Sequence, residues 1–325
     1  MTLLQLYNVA ELQDEVRALA KERDAVILAH NYQLPEIQDV ADYVGDSLGL
    51  SRQAAASDAA VIAFCGVHFM AETASVLSPD KTVLIPDLDA GCSLADAITP
   101  EQLEAWQAEH PGAITVMYVN TTAEIKALTD YCVTSANAVS VVEHILRVHG
   151  PETEILFGPD MFLGAYVERR IGRALHVWDG ECHVHAGIRP RDIQQVRDRH
   201  PGADFLIHPE CGCSTSVMEY VASGDLDEEG VHMLSTGGML RYASDAKPGK
   251  IAIVATEIGM LHPLREAAPD TEFIAANERA ACAYMKMITL PKLRDGLRDM
   301  VHEVKVPAAV AERARVPIER MVAIS

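Results

Sequence analysis

The chain has 325 residues, 49% hydrophobic and 23% charged, enough apolar material for a globular core in two or three domains or one large one. Its formal net charge of -20 repels phosphate backbones and excludes a non-specific nucleic-acid binder, and 5% aromatic residues are too few for a base-stacking platform. No stretch reaches the ~18 apolar residues of a membrane span, so a cytoplasmic protein is expected, whose seven cysteines stay reduced and call for a reason other than disulfides.

The opening stretch, MTLLQLYNVAELQDEVRALA, lacks a basic region followed by an apolar run and reads as an amphipathic helix, not a signal peptide. The first β-type run is AVILAHNY (25–32). It is followed by ADYVGDSLGLSRQAA (41–55), a second run in AAVIAFCGVHFM and a third in TVLIPD, after which comes Cys92. The order then repeats. AITVMYVN (113–120) is followed by TDYCVTSANAVSVVE (129–143), TEILFGPDMFLG, ALHVWD and Cys182. ADFLIHPE (203–210) precedes an acidic insertion (224–230), LSTGGM, KIAIVATEIGML, EFIAAN and Cys282.

The spacing repeats with the pattern. Ser47 lies 17 residues after His30, and Ser135 lies 17 after Tyr118; Thr236 is the counterpart in the third copy. From these hydroxyls to the cysteines the distances are 45, 47 and 46 residues. Three parallel coincidences indicate three copies of one α/β unit. Strands alternating with helices imply parallel sheets, which bind ligands beyond the carboxyl ends of their strands. The expected fold is therefore α/β: three similar three-layer α/β/α units with parallel sheets about a pseudo-threefold axis. The expected boundaries are 1–98, 99–186 and 187–325, the last carrying a C-terminal helical extension.

Three thiolates from three repeats, with a fourth corner vacant, suit zinc with a water or a 4Fe–4S cluster with one open iron. Ligand softness leaves both open. Ser47, Ser135 and Thr236 fall where a loop enters a helix, a natural anion site. One such residue alone would be an ordinary N-cap, but three in register suggest a substrate with several anionic groups. His30, Tyr32, Tyr118, Asn120, His208 and Glu210 stand at strand ends as hydrogen-bonding and proton-transfer groups, with Glu210 the best general acid–base. In HPECGCS (208–214), Cys211 and Cys213 do not align with the repeat cysteines. They are excluded as ligands, as are Cys65 and Cys132, although a C-x-C pair could form a reversible disulfide. His183 and His185, next to Cys182, read as groups supporting the ligands or as alternative ligands.

LAHNYQ, VGDSLGLS, FCGVHFMAETA, YVNTTAEIKALTDYCVTSANA, FGPDMFLG, HPEC and STGGM, in that order over about residues 25–300, closely resemble the quinolinate synthase family. The resemblance implies condensation of iminoaspartate with dihydroxyacetone phosphate to quinolinate, a precursor of NAD, with loss of phosphate and water. It implies a 4Fe–4S cluster on Cys92, Cys182 and Cys282, whose open iron acts as a Lewis acid. It also implies that His30, Ser47, Ser135, His208 and Thr236 hold carboxylates or phosphate. Tyr32 and Glu210 would serve proton transfers, and Tyr118 and Asn120 would position intermediates. Tyr32, Tyr118, His208 and Glu210 make up the expected catalytic set. A transient contact with the imine-producing enzyme is a further expectation. The chain departs from some members in lacking a C-x-x-C before the last ligand: NERAACAYM has Cys282 alone. Rival readings are a zinc-dependent lyase or hydrolase on the same thiolates, an iron–sulfur sensor, and a small-anion binding protein with cysteines in its core.

Overall fold

The computed structural model describes residues 9–223 and 228–324. Residues 1–8 of the expected first helix and the first part of the acidic insertion lie outside the described residues; the helix itself runs Val9–Glu22 and buries Leu12, Val16 and Ala20.

The described strands form three four-stranded parallel sheets of identical order. The first contains β1 (Ala25–His30), β2 (Tyr43–Gly45), β3 (Val61–Cys65) and β4 (Thr82–Leu84), in the order β2-β1-β3-β4. The second contains β5 (Ile114–Tyr118), β6 (Tyr131–Val133), β7 (Ile155–Gly158) and β8 (His176–Val177). The third contains β9 (Asp204–Ile207), β10 (Val231–Met233), β11 (Ile251–Ala255) and β12 (Glu272–Ala275). The sequence pattern reveals three strands per unit. The additional one (β2, β6 or β10) is only three residues long, too short for a hydropathy run to separate it from the helix that follows.

Registers repeat as well. Ala29 pairs with Cys65, Met117 with Gly158 and Ile207 with Ala255. His30, Tyr118 and His208 each follow the first member of such a pair, so all three stand at carboxyl ends. The central strands are apolar on both faces, as strands sandwiched between helix layers must be.

One core runs through all three units and the last helix, while a second fills a face of the third sheet with Phe205, Ile207, Ile253, Cys211 and Cys213. The segment after residue 289 leaves the third sheet. Helix Leu290–Asp299 packs on Val9–Glu22. Residues 302–304 then pair antiparallel with the β4 edge: Val304 donates its N–H to Val83 O (2.8 Å) and Ile85 to His302 O (3.1 Å). Helix Ala308–Ala323 finally lies across helices and strands of the first two units. No described helix is long and apolar enough to cross a membrane.

Candidate active site

Each unit holds its repeat cysteine with the same backbone device. The first residue of the helical turn after β3, β7 or β11 donates its N–H two positions ahead of the cysteine. His68 donates to Ala90 O (2.8 Å), Met161 to Gly180 O (2.8 Å) and Ile258 to Ala280 O (2.9 Å). The residue four beyond each cysteine then donates to the cysteine carbonyl: Asp96 to Cys92 (3.2 Å), Ala186 to Cys182 (2.8 Å) and Lys286 to Cys282 (3.1 Å). Each cysteine thus stands at the start of a short helical turn. The N–H groups of Leu94 and Ala95 point at the Cys92 sulfur, and those of Tyr284 and Met285 at the Cys282 sulfur. Such donors favour a thiolate. Burial still pushes the Cys92 and Cys282 thiols up, a penalty that a bound cation would offset.

All three cysteines line one cavity, and the three sheets point their carboxyl ends into it. His30, Tyr32, Ser47, Tyr118 and Asn120 line it too, as do Ser135, His208, Glu210 and Thr236. The structure therefore brings every residue of the sequence-expected set to one place. Cys65, Cys132, Cys211 and Cys213 are free and buried, and Cys211 donates its thiol hydrogen to Ala255 O (2.9 Å).

Glu210 is the hub, only 2% exposed. The Tyr118 hydroxyl donates to its Oε1, and His185 Nδ1 stands 3.4 Å from its Oε2. Burial alone would raise this carboxyl, but His208 and His185 beside it pull it down to about 2, so it is ionised. Burial would likewise lower His185, yet Cys182 and Glu210 hold it well above the ordinary histidine range. The His185 ring stacks on His208, centroids 4.8 Å apart. Its Nε2 lies 2.9 Å from Thr256 Oγ1 and 3.2 Å from Tyr32 Oη, which are themselves 2.6 Å apart. A continuous hydrogen-bonded path thus joins Tyr118, Glu210, His185, Thr256 and Tyr32.

His30 and His208 share one local geometry. The N–H two residues on, from Tyr32 (3.2 Å) or Glu210 (3.4 Å), approaches ring Nδ1. That leaves Nε2 to carry the proton, and His208 Nε2 meets Ser135 Oγ at 3.1 Å. Burial, with neighbouring histidine charge, lowers His30 to about 3. Burial first, opposed by Glu210 and helped by His185, lowers His208 to about 4. Both are neutral donors near pH 7.

The hydroxyls are not the caps of their helices. Asp46 caps Ser47–Ala56, accepting from Gly49 N–H (2.7 Å), and Ser235 caps Thr236–Asp245. Ser47 and Thr236 are the first helical residues, so their side chains are not spent on the cap. Ser135 departs from this pattern: it lies in a turn before helix Ala138–His149, whose N-cap is Asn137. Asn120 Oδ1 is buried without a protein partner, a cost of about 1–3 kcal/mol unless a ligand or water satisfies it.

Sequence reasoning missed Thr256, Asp160, Glu257 and Lys286. Glu257 is 1% exposed; it accepts the Cys282 N–H on Oε1 (2.9 Å) and pairs with Lys286 Nζ (3.0 Å). Asp160, at the same place in the second unit, accepts from Leu163 N–H (2.7 Å). Both follow the strand that the repeat aligns, in GPDMF and ATEIG, so the alignment carried to the next two residues would have exposed them. His183, singled out beside Cys182, meets Ser93 Oγ at 2.6 Å on the cysteine side of the cavity.

A family profile described as Quinolinate synthetase A protein matches residues 14–323. The chain belongs to that family. A quinolinate synthase of Mycolicibacterium paratuberculosis is 57% identical over 97% of this chain and 89% of its own length. One from Mycobacterium tuberculosis is 56% identical over 95% and 88%, and one from Thermus thermophilus is 55% identical over 96% and 97%. Members of the quinolinate synthetase A family are enzymes, and this chain spans nearly the full length of those it matches.

Proposed function

We propose that this chain condenses iminoaspartate with dihydroxyacetone phosphate to quinolinate, releasing phosphate and water, with a 4Fe–4S cluster held by Cys92, Cys182 and Cys282. One observation carries the reading: three identically hooked cysteines, one per unit, open into the cavity that gathers the hydroxyl, histidine and glutamate groups. The donor set fits such a cluster better than a single ion. A lone tetrahedral zinc, with Zn–S near 2.3 Å, needs sulfurs about 3.8 Å apart. Among the described residues, the metal-ligating trios within 4.8 Å of one another do not include these three sulfurs. When bound, the cluster, with one iron free of protein ligands, supplies a Lewis acid.

The remaining work falls to the chain's own groups. Ser47 and Thr236, at helix starts, and Ser135, on neutral His208, suit carboxylate and phosphate oxygens. Asn120 offers its unmatched amide oxygen to an N–H or O–H of the bound molecule. Glu210 takes and returns protons, held by Tyr118 on one oxygen and His185 on the other. Tyr32, Thr256 and His185 pass protons along their shared hydrogen bonds. The buried cavity limits water near an imine that water would hydrolyse.

A zinc-dependent lyase keeps one point in its favour: Cys182, His185 and Glu210 present ligand atoms within 4.8 Å of one another. Anaerobic reconstitution separates the two. The expected protein is brown, carries iron and makes quinolinate from the two substrates, and Cys282→Ser loses both iron and product. A colourless zinc protein that makes no quinolinate would sink the proposal.

A further inference from the structure

A second group of metal-ligating side chains lies at the opposite end of the second sheet. His110 caps the carboxyl end of helix Pro100–Glu109. Glu154 directly precedes β7, where its carbonyl accepts the Ile114 N–H (2.9 Å) and fixes its backbone. His176 is the first residue of β8. His110 Nδ1 stands 3.8 Å from Glu154 Oε2, and His176 Nε2 stands 3.9 Å from the same oxygen. The two imidazole rings lie 4.1 Å apart between centroids, and one ligand atom from each of the three residues falls within 4.8 Å of the others. No one of the three lines the cavity of the cysteines, which lies beyond the other end of the sheet, across β7 of four residues, about 13 Å long.

We propose that His110, Glu154 and His176 form a surface site for one divalent ion of the zinc class. Two imidazoles and a carboxylate select a borderline ion such as Zn²⁺ or Ni²⁺ over Mg²⁺ or Ca²⁺, which prefer all-oxygen shells. Ligand bonds of about 2.0–2.1 Å in tetrahedral geometry put donor atoms about 3.3 Å apart, so each histidine needs to close on Glu154 by only about half an ångström from 3.8 and 3.9 Å, with the two imidazole nitrogens already within 4.8 Å of one another. Side-chain exposures of 24%, 42% and 57% for His110, His176 and Glu154 let a hydrated ion enter and keep water on it. The three donors come from separate segments, so the ion would pin the end of helix Pro100–Glu109 to the β7–β8 edge. A structural and not a catalytic role follows from its distance to the cavity.

The test uses iron-loaded holoenzyme under argon, dialysed against chelator-buffered Zn²⁺. The wild type is expected to retain one more zinc per chain than a His110→Ala/His176→Ala variant. Its melting temperature should rise by about 2–4 °C with zinc at a hundredfold excess over Kd, and the variant's should not. Turnover without added zinc should match in both proteins. Should the double variant fold poorly, His176→Gln at the strand edge repeats the comparison with one donor removed. Equal zinc content and equal thermal response in wild type and variant would overturn the site. The zinc content and the thermal response are independent of whether the chain makes quinolinate.

Discussion

Glu210 carries the most chemistry per atom. One oxygen accepts from Tyr118 and the other faces His185, so the carboxylate is held ionised where it can take a proton. Glu210→Gln keeps the shape and removes the proposed base. Its kcat is expected to fall by about 10²–10⁴ while iron per chain stays at the wild-type level. An equal loss of iron would make Glu210 a structural residue. His208 makes a second prediction. Its folded value of about 4 lies below the ordinary value near 6.5, so between these the unfolded chain binds more protons. Stability therefore rises with pH through this window and falls as pH drops from about 6.5 to 4, on the order of 3 kcal/mol from this group. Urea unfolding of the metal-free chain at stepped pH should show a slope of this sign, to which His30, lowered to about 3, adds, and His208→Gln should reduce it by the His208 share. The strand-end histidines, tyrosines and Glu210 were legible because a short apolar run ends at them. Thr256 was not, because its role comes from a 2.6 Å contact with Tyr32, a residue more than two hundred positions away.

The recurring element is the cysteine loop hooked to the turn after a strand. In the second copy glycine stands where the others have alanine, and a Cβ on Gly180 would come within 2.5 Å of Pro159 O and 3.0 Å of Ala97 Cβ. The first of these neighbours is backbone and cannot rotate away. Gly180→Ala is expected to displace the Cys182 loop, costing about 1–3 kcal/mol of stability and lowering iron retained through gel filtration. Wild-type iron content in that variant would show that the hook does not position the cysteine. The cysteines themselves were visible through repeat spacing. The hooks were not, since backbone hydrogen bonds leave little trace in side-chain identity. Helix starts were only half legible: the spacing located Ser47 and Thr236, but the cap one residue earlier, Asp46 or Ser235, is what leaves those hydroxyls available.

Across the whole molecule, the last helix works as a clasp. Ile318 and Met321 are fully buried, Asn137 donates to Met321 O (2.9 Å) and Ile324 O (2.8 Å), and Arg52 donates to Val322 O (2.8 Å). Truncation after Pro307 exposes the apolar surface under Ile318 and Met321 and takes both C-terminal acceptors from the Asn137 amide nitrogen. A loss of at least about 3 kcal/mol, seen as a melting temperature lower by about 5 °C or more, is expected in a thermal scan. An unchanged midpoint would mean that the clasp is dispensable. The sequence by itself determined the three-unit α/β plan, the sheet direction and which cysteine, hydroxyl and strand-end residues belong together, because strand periodicity and repeat spacing are local, one-dimensional signals. Only the tertiary structure decided that these groups share one cavity, that His185 joins Glu210 to Tyr32, and that the C-terminal helix packs across the first two units. Those outcomes depend on how separate units pack, and packing is set by shape and burial between residues that no local pattern connects.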